Sequence, residues 1–428
     1  MNGLQTANAP SHKIVIPHFV AGSLAFFIST ILLFLTVDEW MDLYFSPKLI
    51  AIVHLLVLGW GTMIAFGALY QLIPVVYETS LYSEKLAKVT FIIYTLSVIF
   101  LSYAFWKASF SQLLFYASLI MFLALMLFIT NLGFTYRNRT KSNISSKFIT
   151  TALFWLALTV IVGTLTALNF KYQFLTQSHL QYLKIHAHIG LIGWFVLLII
   201  GASSILIPMF VISHQTDTKR LKTSYLLINI GLVGLSINWF FNSNRTIELV
   251  MILSIIMGIV MYLRFVYLVF KTRIRKVLDT AMKLTFISLI IMFLTLIISG
   301  IVTGFNWLKL PTMSIVLLYG SSIIIGFIST IILGQIYKTL PFIVWLKIYQ
   351  PYVGKFKTPL PRELYSEKWL KIQMYIYLIG LVIFVNGIVF QQLIIIKIGI
   401  ALLIISTAIN FSNVLKITFH RQKLMPIN

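Results

Sequence analysis

Twelve long apolar runs dominate the chain, at about residues 17–36, 48–77, 87–106, 110–135, 148–170, 182–213, 222–241, 247–271, 281–306, 311–346, 369–391 and 392–417. A helix of about 20 apolar residues crosses the hydrocarbon layer of a bilayer. Backbone in hydrocarbon must pair its own N–H and C=O groups, and for runs of this length the helix does so. The expected fold is an all-α polytopic membrane protein with 12 transmembrane helices, residues 1–428 forming a single membrane domain. Composition agrees, since 59% of residues are hydrophobic and 10% charged, against about 25% charged in ordinary soluble domains. The first run, PHFVAGSLAFFISTILLFLT, has no short apolar core with a cleavage site and reads as a retained helix. With no cysteine in the chain, disulfides, thiolate metal sites and covalent haem attachment are excluded.

The net charge of +23 raises the question of nucleic acid. The basic residues, however, are scattered over short loops rather than gathered on one domain, so no nucleic-acid partner is expected. If the runs alternate across the bilayer, 25 Lys and Arg fall on one side and seven on the other, with Arg264 inside the eighth run. The positive-inside rule then places both termini on the cytoplasmic side. The expected partner of this basic face is an anionic lipid leaflet, and the expected location is the bacterial cytoplasmic membrane.

The second, sixth and tenth runs share a pattern. HLLVLGWGTMIAFGALYQLIP carries His54, Gly59, Gly67 and Pro74, and HIGLIGWFVLLIIGASSILIP carries His188, Gly193, Gly201 and Pro208 at the same offsets. SSIIIGFISTIILGQIYKTLP repeats them with Ser321, Gly326, Gly334 and Pro341. The starts lie 134 and 133 residues apart. Three pseudo-symmetric four-helix units follow, at approximately 17–135, 148–271 and 281–417. At 100° per residue both glycines and the proline share one helix face, with the histidine pointing away from it. The prolines are expected to kink or end their helices.

His54 and His188 occupy equivalent places near one end of their helices. A polar side chain in hydrocarbon needs a partner and is a functional candidate; imidazole is also a common ligand of haem iron. The competing reading of His54 is an interior histidine bonded to a neighbouring helix. His186 precedes His188 by two residues, about 200° around a helix, so the pair cannot hold one small ion but can face two different spaces. His18 reads as an interfacial or supporting group, and His12, His179, His214 and His420 as solvated loop or tail residues. Trp60 and Trp194, six residues after the repeated histidines, are either packing residues or walls for a flat macrocycle.

A twelve-helix chain of three four-helix units, with an end-of-helix histidine on the second and sixth helices, resembles subunit I of the haem-copper oxidase superfamily. The second helix looks like the low-spin haem ligand helix of the nitric oxide reductase and cbb-type branches, and its His-to-Pro spacing resembles the NnrS family of haem proteins linked to nitric oxide metabolism. The resemblance implies a b-type haem with His54, His186 and His188 as candidate iron ligands, paired or in separate pockets. It implies a role in redox, nitric oxide or respiratory metabolism, an oxidoreductase if the chain is an enzyme, and an electron donor or other membrane subunits as partners. Lys184 and Lys309 are candidates to neutralise haem propionates. The family's copper centre needs histidines around the seventh helix, and its haems need histidines on the tenth. Here no histidine lies between His214 and His420, and Tyr319 and Ser321 stand on the tenth run. A standard haem-copper binuclear centre is therefore not expected. The alternative function is a membrane transporter for a metal ion, haem or small solute, since parallel repeats with shared Gly and Pro positions also suit moving bundles.

Overall fold

The computed structural model describes residues 10–43, 45–140, 142–215, 217–241, 244–307, 313–421 and 425–426. Among them are 12 helices long and apolar enough to cross a membrane. They are α1 (His12–Leu35), α2 (Pro47–Tyr77), α3 (Glu84–Trp106), α4 (Leu113–Arg137), α5 (Ile144–Tyr172), α6 (His179–Val211), α7 (Thr218–Phe241), α8 (Arg245–Lys271), α9 (Thr280–Ile301), α10 (Ser314–Ile348), α11 (Glu367–Val389) and α12 (Leu393–Thr418). The chain is thus an all-α polytopic integral membrane protein, with ends within a few residues of the apolar runs for most helices.

Local chemistry sets the helix starts. Ser11, Ser46, Asn143, Ser178, Asn244 and Ser366 each turn a side-chain oxygen onto a backbone N–H of the first turn, pairing donors that a helix leaves open at its N-terminus. Pro74 and Pro208 act near the other end: Glu78 and Ile212, each four residues later, adopt left-handed φ of 53° and 54°. The N–H groups of Thr79 and Ser213 return to the Pro74 and Pro208 carbonyls, closing both helices alike. After Pro341 the helix runs on to Ile348.

The described residues cluster into two compact units. One comprises residues 73–97 and 109–278, where α5 packs on α4 and α6, and α7 pairs with α8. The other comprises residues 9–72, 98–108 and 279–428, where α11 pairs with α12, α1 packs on α12 and α2, and α9 packs on α10. In its connection between α10 and α11, residues 349–366, Phe356–Lys357 pairs with Met425–Pro426 in a two-residue antiparallel ladder.

The repeated glycines do share a face, and that face meets the helix just before. A Cβ at Gly67 would lie 3.2 Å from the Val15 carbonyl on α1, one at Gly201 3.1 Å from the Ser145 carbonyl on α5, and one at Gly334 2.7 Å from the Ala281 carbonyl on α9. Gly59, Gly193 and Gly326 face the same three helices through Ala25, Trp155 and Ile291. Lipid is as apolar as leucine, so helices in a bilayer gain most from the close approach that small residues allow.

An unforeseen feature lies between the aligned position and the second glycine of each motif. Leu55–Thr62, Ile189–Val196 and Ser322–Ser329 are π-helical, eight residues each, beginning directly after His54, His188 and Ser321. An i→i+5 turn is wider than an α turn, yet the histidines still turn away from the helices that the glycines pack on: His54 lies against Phe105 of α3 and His188 against Trp239 of α7, while the glycines meet α1 and α5, Gly59 also reaching Val98 of α3.

Gly334→Ala is expected to cost about 1–3 kcal/mol, the usual penalty of overpacking, because its new methyl would meet backbone. Gly133→Ala, with nothing within 4 Å of its Cβ position, is expected to be neutral or slightly stabilising. Thermal unfolding of the two variants in detergent checks the contrast.

Candidate functional site

The four histidines inside the helices share one hydrogen-bond habit. Nδ1 of His18, His54 and His188 lies 2.8 Å from the carbonyl four residues earlier, on Ile14, Ile50 and Lys184. His186 Nδ1 instead reaches the Thr159 carbonyl of α5, at 3.0 Å. A carbonyl oxygen only accepts, so each Nδ1 carries a proton, and a lone pair on any of these rings is at Nε2. A metal-binding histidine is normally held in this way, its other nitrogen donating to a carbonyl or carboxylate.

His54 and His188 also have matching neighbours. The His54 ring stacks on Phe105 of α3, with centroids 4.7 Å apart and planes 24° apart. The His188 ring meets Trp239 of α7 edge-on, at 4.9 Å and 66°. Phe105 and Trp239 each follow their histidine by 51 residues. The repeat spacing contained this signal, but only a search for the same offset at both histidines would have exposed it.

His186 and His188 turn to different helices, as their spacing requires. The His186 ring lies over Gly163 of α5, where a Cβ would come within 2.7 Å of Cε1. The bare glycine, one turn on from Thr159, leaves room for that approach. His188 faces α7, so the two imidazoles belong to separate surroundings.

A charged cluster adjoins His188. The Glu248 carboxylate of α8 is buried at 6% exposure. It accepts from Lys184 Nζ at 2.8 Å, Arg245 at 3.0 Å and Trp239 Nε1 at 3.2 Å. Lys184 Nζ also sits 4.1 Å from the centre of the Trp239 ring. Desolvating a carboxylate costs several kcal/mol unless donors replace water, and these three donors do so. The carboxylate thus engages Lys184, which the resemblance makes a candidate propionate partner. Lys309 lies outside the described residues.

Other candidates take structural places. Trp60 is fully buried, stacked on Phe26 at 4.5 Å, and donates to Ser329 Oγ at 3.1 Å; Trp194 is 1% exposed. His18 is fully buried with its ring 5.6 Å from Tyr70, so it is interior rather than interfacial. His179 stacks on Phe170 at 4.1 Å, and His420 lies 2.7 Å from the Tyr349 hydroxyl; neither is simply solvated. Burial, aided by Lys416, lowers the pKa of His420 below the usual histidine value. Ser321, aligned with the two histidines, bonds the Leu318 carbonyl at 3.2 Å and offers no imidazole.

Among the described residues no three His, Asp or Glu side chains converge as a metal site. Haem iron brings four porphyrin nitrogens and asks the protein for one or two more, and the His54 and His188 donor groups fit that need. No protein-family model matches the chain, and no curated protein matches it.

Glu248→Gln is expected to lower stability by about 1–2 kcal/mol, less than a fully buried pair because Lys184 and Arg245 remain partly exposed. A double-mutant cycle with Lys184→Gln should give a coupling above about 0.5 kcal/mol. Zero coupling would mean that the ion pair carries no stability.

Proposed function

We propose that this integral membrane protein binds b-type haem, with His54 and His188 each supplying an axial imidazole, and serves redox, nitric oxide or respiratory metabolism. The observation that carries the reading is the pair of equivalent imidazoles whose Nδ1–H is held by a carbonyl of the preceding turn and whose ring is flanked by an aromatic 51 residues on. His186, held by Thr159, is the third candidate ligand. Resemblance to haem-copper oxidase subunit I supports the same cofactor.

Haem supplies one-electron chemistry and binding of diatomic gases at iron. The chain's own contribution is positioning and electrostatics. The bonds to Ile50 and Lys184 fix each ring's orientation and increase electron density at Nε2. Phe105 and Trp239 restrict rotation of the rings beside them. Glu248 holds Lys184 and the Trp239 indole together, so the turn that carries His188 is tied to α7 and α8.

Purified protein should show a haem absorbance spectrum that shifts on reduction. His54→Gly and His188→Gly should each lose haem, and added imidazole should restore it, which a merely misfolded variant would not allow. His179→Ala should keep full occupancy. Unchanged haem content in both glycine variants would refute the ligand assignment. Solute uptake into haem-free proteoliposomes that depends on the same histidines would favour a transporter instead.

A further inference from the structure

The second unit contains a group of buried polar side chains on α10, α11 and α12. At the end where α9 and α11 begin, Lys338 pairs with Asp279, and Thr280 donates to Glu367 at 2.5 Å. Tyr365 lies beside them; burial, with Glu367 and Asp279 nearby, raises its pKa above the usual phenol range. Its ring contacts Tyr337, with centroids 5.2 Å apart. Gln373 lies six residues into α11, about 9 Å along the axis at 1.5 Å per residue. The Tyr337 hydroxyl donates to Gln373 Oε1 at 2.7 Å and accepts from Asn413 Nδ2 at 3.3 Å.

The hydrogen-bond arithmetic does not close. Gln373 and Asn410 are 0% exposed, yet Gln373 Nε2 and Asn410 Nδ2 have no partner in the structure. Asn410 Oδ1 lies 3.4 Å from the Tyr337 oxygen, whose single proton already goes to Gln373. Rotating the Asn410 amide lets its NH2 donate to Tyr337, but then its Oδ1 needs a donor while Gln373 Nε2 still needs an acceptor. One arrangement leaves two donors and the Asn410 acceptor, the other a donor and an acceptor. A water molecule serves both kinds of group, because it accepts and donates, whereas an anion serves donors alone. Pro341, lacking an N–H, cannot pair with the Tyr337 carbonyl four residues before it, which adds a further acceptor on the same turn. Leaving buried polar groups unpaired costs about 1–3 kcal/mol each, and buried water is the usual remedy at polar sites with two to four partners.

We propose that Gln373, Asn410 and Tyr337 hold a bound water molecule at the head of a polar inlet that begins at Asp279, Lys338 and Glu367. The inlet brings water to the buried amides of this unit from the end where α9 and α11 begin.

Radiolytic hydroxyl labelling of the full-length protein, read residue by residue by mass spectrometry, tests this, because radicals formed from bound water mark adjacent side chains even when these are buried. Tyr262 is the dry control: it is 0% exposed, and its hydroxyl lies 2.6 Å from Ser203 Oγ. Tyr337 should label several-fold faster than Tyr262. In Gln373→Met with Asn410→Leu the Tyr337 rate should fall to that of Tyr262. Equal rates in the unaltered protein would overturn the proposal without recourse to any variant. So would an unchanged Tyr337 rate in a folded double variant, or suppression of its labelling by chloride, which would mark an anion in place of water.

Discussion

The structure depends on the contact between the second glycine of each repeated pair and the backbone of the helix before it. In a bilayer, hydrophobic burial does not distinguish one helix neighbour from another, so packing must. Gly67, Gly201 and Gly334 bring their helices down onto the Val15, Ser145 and Ala281 carbonyls. The π-helical turns sit within these motifs, one residue after His54, His188 and Ser321. π turns inside helices are rare and often accompany functional sites; here two of the three adjoin a histidine.

From that packing the polar chemistry follows. Carbonyls of the preceding turn hold the Nδ1–H groups of His54 and His188, while His186, two residues before His188, is claimed by α5 through Thr159. Glu248, one of few carboxylates in so basic a chain, draws Lys184, Arg245 and Trp239 around the His188 turn. The other unit concentrates its buried amides around Tyr337 instead.

Much of this was legible in the sequence. Helix number and bounds follow from hydrocarbon thickness, and the shared glycine face follows from spacing. The divergence of His186 and His188 follows from helix geometry. The π-helical turns that separate histidine from glycine did not follow, because apolar runs such as LLVLGWGT carry no composition signal for them. Phe105 and Trp239 were hidden among the many aromatics expected in a membrane protein, since each reaches its histidine from a different helix. Glu248 belongs to no motif, and its partners Lys184 and Trp239 stand 64 and 9 residues away in the chain, so their convergence is visible only in three dimensions.

The central claim is that histidine Nε2 of this chain ligates haem iron. The most direct measurement is pulsed electron paramagnetic resonance of the oxidised protein, purified from cells grown with 15N-histidine. The account predicts a ferric haem signal with a strongly coupled 15N nucleus, lost from its respective site in His54→Gly and in His188→Gly. A ferric haem signal coupled only to porphyrin nitrogen, or no haem signal at all, would contradict it.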